Sequence, residues 1–227
     1  RAVMAVALVA PLLGLLVLPL LLAATAVVAR DNAVRVATFN VRNWSFDSRA
    51  PSELGVLALV IARYDLVAVQ EVRTDDRGVA ALVTLLNERF EHFGGAWRYV
   101  VSDEVGTNNK ERCAFIWRGD RVRGPGDTTL DGGASLEAYL YDGAAVSRFE
   151  REPYCGDFEA EAGARAHAAR RPDDALAFTF CTVHVIFGND LDERREELDA
   201  LADVYAAART RRVRAAVGAA YTYALVL

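Results

Sequence analysis

The chain has 227 residues, 53% of them hydrophobic and 25% charged, which suits one membrane-length segment joined to one globular domain. Its net charge of −5 excludes a global positive field that would hold nucleic acid tightly, so any phosphate recognition has to be local. Of the 26 basic residues only Lys110 is a lysine. Biased codon usage accounts most simply for so Arg- and Ala-rich a composition, and it sets that lysine apart.

Residues 2–29 contain no charged side chain and are dominated by Leu, Val and Ala. The stretch exceeds the ~7–15 apolar residues of a signal-peptide core and reaches the ~20 needed to span a bilayer. Residues 1–29 are therefore expected to be a hydrophobic signal anchor or signal peptide. Arg30-Asp31-Asn32 opens a different composition, and residues 30–227 form the domain, expected outside the cytoplasm as a membrane-anchored or secreted protein. Cys113, Cys155 and Cys181 allow at most one disulfide. Cys155 with Cys181 is one pairing open in an oxidising compartment, and inert buried thiols are the other reading.

After that segment, residues 34–41 read as a first strand with Asn40 at its end. Ser52 is placed to cap a helix reaching about Arg63, with Leu54, Leu57, Leu59 and Ile61 as its apolar surface. The apolar run Leu66-Val67-Ala68-Val69 reads as a strand buried on both faces, emerging at a sheet rim with Gln70, Glu71 and Arg73. Residues 77–90 follow as an amphipathic helix burying Val79, Leu82, Val83, Leu86 and Phe90. His92 sits in the last turn of that pattern. Residues 97–102 and 112–117 read as two strands joined by a loop at 103–111, and 124–146 as mostly loop. Another strand is expected over 151–158, then a low-complexity stretch at 159–174 that holds His167, then a strong strand over 176–184. A helix starting at Asp190 or Asp192 runs to about Thr210, with Leu198, Leu201, Tyr205 and Ala208 on its buried face. Its acids come early and its arginines late, as the helix dipole favours. Strands and helices alternate only in the first part, which makes this a mixed α/β (α+β) domain.

The polar groups cluster at strand ends. Glu71 at a rim is a natural ligand for a hard cation such as Mg²⁺, and Arg73 two residues on suits a phosphate. Asn40, Glu111 and His184 also stand at strand ends, where separate segments can converge. A histidine held by a carboxylate is a workable general acid. The residues alone leave open that Glu71 and Arg73 end a strand in water and that His184 is structural.

Five segments in order resemble the endonuclease/exonuclease/phosphatase superfamily, and within it the deoxyribonuclease I branch. They are Thr38-Phe39-Asn40-Val41-Arg42, Gln70-Glu71-Val72-Arg73, Val101-Ser102-Asp103-Glu104-Val105-Gly106 through Asn109-Lys110-Glu111-Arg112, Arg151-Glu152-Pro153, and Thr182-Val183-His184. The resemblance implies a four-layer α/β/β/α sandwich that cleaves phosphodiesters, DNA above all, with Mg²⁺ or else Ca²⁺ or Mn²⁺. By this likeness Glu71 holds the metal with Asn40 beside it, His184 protonates the leaving oxygen, and Glu111 orients His184. Arg73 would enter a DNA minor groove, Arg151 would touch the phosphate backbone, and Asn109 stands where the branch can carry a tyrosine that packs on a sugar.

The likeness breaks towards the C-terminus. Where the family has Gly-Asp-x-Asn, this chain has Gly218-Ala219-Ala220-Tyr221, and no Ser-Asp-His follows. The expectation is an incomplete second half and little or no nuclease activity in the chain as given. Two alternatives stand beside the nuclease: another phosphoesterase of the superfamily, such as a sphingomyelinase or inositol-phosphate phosphatase, and a catalytically dead, membrane-anchored binding domain.

Overall fold

Two apolar strands lie side by side at the centre of the first sheet because neither can leave a face in water. The computed structural model describes residues 34–73, 75–90, 96–107, 109–128, 135–160, 176–188 and 190–215. The hydrophobic segment 1–29, His92, His167, Ala219 and Tyr221 lie outside them.

Strand β1 (Val36–Trp44) is followed by helix α1 (Pro51–Ile61), which crosses over to strand β2 (Leu66–Val72). That crossover makes the two strands parallel, in register from Val36↔Leu66 to Asn40↔Gln70. Helix α2 (Arg77–Phe90) leads to β3 (Trp97–Val101) and β4 (Arg112–Arg118). Strand β4 pairs antiparallel with both β2 and β3, giving the order β1-β2-β4-β3.

The second sheet is antiparallel and comprises β5 (Val122–Arg123), β6 (Ala138–Leu140), β7 (Tyr154–Ala160) and β8 (Ala177–Thr182). Strand β8 runs along one edge of β7, while β5 and β6 share the other at Val122↔Ala160 and Ala138↔Gly156. The last helix, α3, is Leu191–Ala215.

The two-residue period of the strands sorts their side chains into separate cores. Val67 and Val69 of β2, with Ala114 and Ile116 of β4, pack against Leu57 and Ile61 of α1 and Leu82 and Leu86 of α2. The alternate residues Leu66, Ala68, Cys113, Phe115 and Trp117 meet Phe158, Phe178 and Phe180 of the second sheet. On that sheet's other face, Cys155 and Cys181 pack with Leu201 and Val204 of α3. Apolar clusters thus join α1 and α2 to the first sheet, the first sheet to the second, and the second sheet to α3, in a mixed α/β fold of two sheets and three helices. Each large buried side chain contributes roughly 1.5–3 kcal/mol relative to exposure.

Several local expectations change. Ala50, not Ser52, is the N-cap of α1; Pro51 takes the first helical position and the Glu53 carboxylate accepts the Ala50 N–H at 2.9 Å. Proline suits that position because it has no N–H to leave unpaired. Leu59 is exposed, and α1 buries Leu57, Ala58 and Ile61 instead. On α3, Leu198 and Tyr205 are exposed, while Glu197, Ala200, Leu201, Val204 and Ala208 form the buried row. The abundance of alanine on this helix makes more than one apolar stripe readable, and packing selects one. Strand β6 lies inside the stretch read as loop, and β1 runs three residues past Val41, to Trp44.

Cys155 and Cys181 are directly paired across β7 and β8 and form a disulfide. Cys113 is a buried free thiol; burial chiefly, aided by the Glu111 charge, pushes it up to about 12. The bridged residues are 26 apart in sequence. Closing a loop of that size constrains the unfolded chain by about 3.5 kcal/mol. Urea unfolding of the Cys155→Ala/Cys181→Ala protein should show a loss of that order, and an unchanged midpoint would mean that the bridge does not stabilise the fold.

Candidate active site

The rim where β1 and β2 end is distorted, and the distortion aims the polar groups. Pairing between β1 and β2 slips between Asn40 and Trp44, and pairing between β2 and β4 slips between Val69 and Val72. Arg42, Asn43 and Glu71 sit in these slips with φ of 53°, 52° and 62°. Asparagine tolerates that left-handed region, but arginine and glutamate are strained there by about 1–3 kcal/mol each.

The strain is offset by bonds to one carboxylate. Asn40 Nδ2 donates to Glu71 Oε1 at 2.8 Å, and the Asn43 N–H donates to Glu71 Oε2 at 2.7 Å. The Arg42 N–H in turn fixes Asn40 through its Oδ1 at 2.8 Å. Burial, the largest single influence on Glu71, pushes its carboxyl up. The Asn40 and Asn43 bonds and the charges of His184 and Arg73 outweigh it and hold the group below the usual carboxylate range.

Glu111 reaches the same place from the loop before β4. A bridge between Val105 and Glu111 closes that loop as a small hairpin, leaving the Glu111 side chain 1% exposed. His184 lies two residues beyond β8 and is 20% exposed. Its Nδ1 is 2.6 Å from Glu111 Oε1, and its Nε2 is 3.5 Å from Glu71 Oε1. A carboxylate only accepts, so Nδ1 carries the proton in that short contact. Nε2 is left on the side of Glu71. The imidazole is thus bracketed by two carboxylates drawn from different sheet segments.

The two arginines take different positions. Arg73 lies along the rim, donating from Nε to Asn43 Oδ1 at 2.9 Å and from Nη1 to the Lys110 carbonyl at 2.7 Å. Arg151, expected at the phosphate backbone, instead turns inward: its side chain is 9% exposed and its Nε lies 3.2 Å from Glu111 Oε1. The buried carboxylate attracts it, since an isolated charge there would cost several kcal/mol. Asn109 is exposed on the loop beside Lys110.

Beneath the rim is a residue whose role sequence gave no hint of. Gln70 Nε2 donates to Thr38 Oγ1 at 2.6 Å and also to Thr182 Oγ1, tying β1 and β2 to β8 of the other sheet. Asn43 was also missed; its place near the end of β1 and its tolerance of left-handed backbone were the available signals.

Among the described residues no group of three or more His, Cys, Asp or Glu side chains is placed to share a metal ion. What the rim offers is one carboxylate, Glu71, with the Asn40 amide against it. The amide turns its Nδ2 to Glu71, so the carboxylate alone supplies hard oxygen; one carboxylate suits Mg²⁺, which binds through one or two and completes its shell with water and phosphate.

The depressed Glu71 carboxyl has a consequence for stability. A group whose folded pKa lies below its unfolded value stabilises above the unfolded value and loses that contribution as pH falls through the folded one. Glu71→Gln should therefore be less stable than the parent at neutral pH, with the gap closing as pH falls below the ordinary carboxylate range. Urea unfolding across that range checks it, and a gap that stayed constant would show that the carboxylate charge is not involved.

No protein-family model matches the chain. Human deoxyribonuclease-1 is 27% identical over 198 residues, 85% of this chain and 61% of the relative. Human deoxyribonuclease-1-like 2 is 32% identical over 184 residues, 76% of this chain and 56% of the relative. A deoxyribonuclease of Thioalkalivibrio sp. (strain K90mix) is 29% identical over 171 residues, 74% of this chain and 39% of the relative. The chain thus spans less than two thirds of each of these relatives. A solved endonuclease/exonuclease/phosphatase family protein from Leptotrichia buccalis C-1013-b superposes with a TM-score of 0.42 at 15% identity, over 76% of this chain and 63% of that one. The motifs and these relatives agree: the chain is similar to deoxyribonuclease I-like proteins, which supports its assignment to that branch of the endonuclease/exonuclease/phosphatase superfamily.

Proposed function

We propose that this chain carries the site of a divalent-metal-dependent phosphodiesterase that hydrolyses DNA as an endonuclease. The observation that supports it best is the imidazole of His184 held at 2.6 Å by Glu111 and facing Glu71 at 3.5 Å. Glu71, kept ionised by its neighbours, would hold Mg²⁺ with Asn40 beside it; Mn²⁺ and Ca²⁺ are the ions to compare. When bound, such an ion supplies positive charge that stabilises the transition state at phosphorus.

The remaining work belongs to the side chains. Glu111 fixes the ring through Nδ1, so that Nε2 of protonated His184 can give its proton to the leaving oxygen. Arg73 and Lys110 put positive charge along the same rim, where a phosphate backbone would lie. Asn109, exposed beside Lys110, would meet the sugar edge. The Cys155–Cys181 disulfide supports an oxidising, extracytoplasmic setting. Membrane attachment through residues 2–29 remains part of the proposal; among the described residues no helix is long and apolar enough to cross a membrane.

Ala219 stands where the family places an aspartate, a change expected to cost about 10²–10³ in rate. Supercoiled plasmid is therefore incubated with excess protein and Mg²⁺, Mn²⁺ or Ca²⁺, alongside sphingomyelin and inositol phosphates. Little or no nicking by the unaltered chain is the expected outcome, with Ala219→Asp raising it to a level that EDTA stops and His184→Ala abolishes. Nicking indifferent to His184→Ala, or preferential cleavage of the lipid or inositol substrates, would overturn the DNA reading.

A further inference from the structure

Glu197 is a buried carboxylate that the proposed chemistry does not use. It lies on α3, 3% exposed, and its two oxygens are given to two different loops. Oε1 accepts the Glu150 N–H at 2.7 Å and Oε2 accepts the Ile186 N–H at 2.8 Å. Neither amide belongs to a strand. Glu150 is the neighbour of Arg151, and Ile186 follows His184 by two residues. A carboxylate buried without partners costs several kcal/mol, and two charge-assisted bonds offset that cost only while both loops stay in place.

The contacts close into a ring. From Glu197 the path runs through Glu150 to Arg151, across 3.2 Å to Glu111, across 2.6 Å to His184, along the chain to Ile186, and back to Glu197. A third loop joins at Glu150, whose carboxylate accepts the Thr107 hydroxyl at 2.8 Å. Thr107 belongs to the loop that delivers Glu111. The three loops carrying Glu111, Arg151 and His184 are therefore referenced to one helix.

We propose that Glu197 is a positioning residue that holds the His184 and Arg151 loops at the spacing Glu111 needs to bind both. This rests on the reading of His184 as proton donor, but most of its test needs no turnover. In the unaltered protein, amide hydrogen exchange should show the Glu150 and Ile186 N–H groups protected and released together. Rapid exchange at either would overturn the clamp, and this measurement decides even if variants fail to fold.

In Glu197→Gln one of the two amides loses its acceptor. The downfield proton resonance of His184 Nδ1–H should then disappear while the amides of β7 and β8 stay protected. Nicking of plasmid by the Ala219→Asp protein should drop roughly 10²-fold on the same change with DNA affinity unchanged, the size expected when a reacting group is misplaced by about an ångström. A folded Glu197→Gln protein that keeps the resonance would overturn the proposal. If instead His184→Ala leaves nicking untouched, the phosphodiesterase reading fails, and the exchange and resonance data still judge the clamp separately.

Discussion

The site depends on a carboxylate that has almost no access to water. Glu111 is 1% exposed, and a lone ion so buried would be strongly destabilising. It exists there because a guanidinium and an imidazole reach it from two other segments, Arg151 at 3.2 Å and His184 at 2.6 Å. Removing one partner of such a buried cluster typically costs about 3–5 kcal/mol, whereas replacing all of it with apolar groups can be neutral. The cluster is thus better understood as specifying one arrangement of loops than as adding to stability. Its cost is met by the surrounding cores.

Those cores explain why the loops can be held so closely. The sheets meet through Phe115, Trp117, Phe158, Phe178 and Phe180, with Phe115 and Tyr154 stacked at 4.9 Å between ring centres. Above this apolar contact the bond from Gln70 to Thr182 fixes one sheet against the other near the rim. The disulfide between Cys155 and Cys181 then locks β7 to β8. Arg151 lies four residues before one cysteine and His184 three residues after the other. Both side chains that hold Glu111 therefore leave the same covalently tied pair of strands.

How much of this the sequence disclosed follows from the range of the interactions. Strand β2, helix α2 and strand β4 were legible because their apolar patterns are local and unbroken. Strand β6 was not, since three half-buried residues among glycines and aspartates carry no period, and the face of α3 was misjudged because alanine supports several stripes. Asn40, Glu71, Glu111 and His184 were readable as candidates from their places at strand ends and from the family motifs. The motifs also implied Asn40 beside Glu71 and Glu111 on His184, as the structure has them, but neither motif nor spacing implied Thr182 as the partner of Gln70 or Glu197 as a tie between loops. The Gln70–Thr182 bond spans 112 positions and the Glu111–His184 contact spans 73, and such pairings leave no trace in spacing. The inward turn of Arg151 was unreadable for the same reason: it is set by a carboxylate far away in sequence.

The strained backbone at Glu71 carries the last step. With φ at 62°, the residue adopts a conformation its own side chain disfavours, and nothing in β2 itself requires it. The partners that hold it are Asn40 and Asn43, which come from the end of β1, and Asn43 is in turn held by Arg73. The strain, the register slips and the lowered carboxyl all act on one oxygen pair. A carboxylate fixed and charged in advance would have little left to reorganise on meeting a cation, which is where preorganised electrostatics gains over water. Relaxing Glu71 into an ordinary strand would remove about 1–3 kcal/mol of strain, but β-strand alternation would then turn its side chain away from His184. The distortion is the condition for having the Glu71 carboxylate and the His184 imidazole face each other.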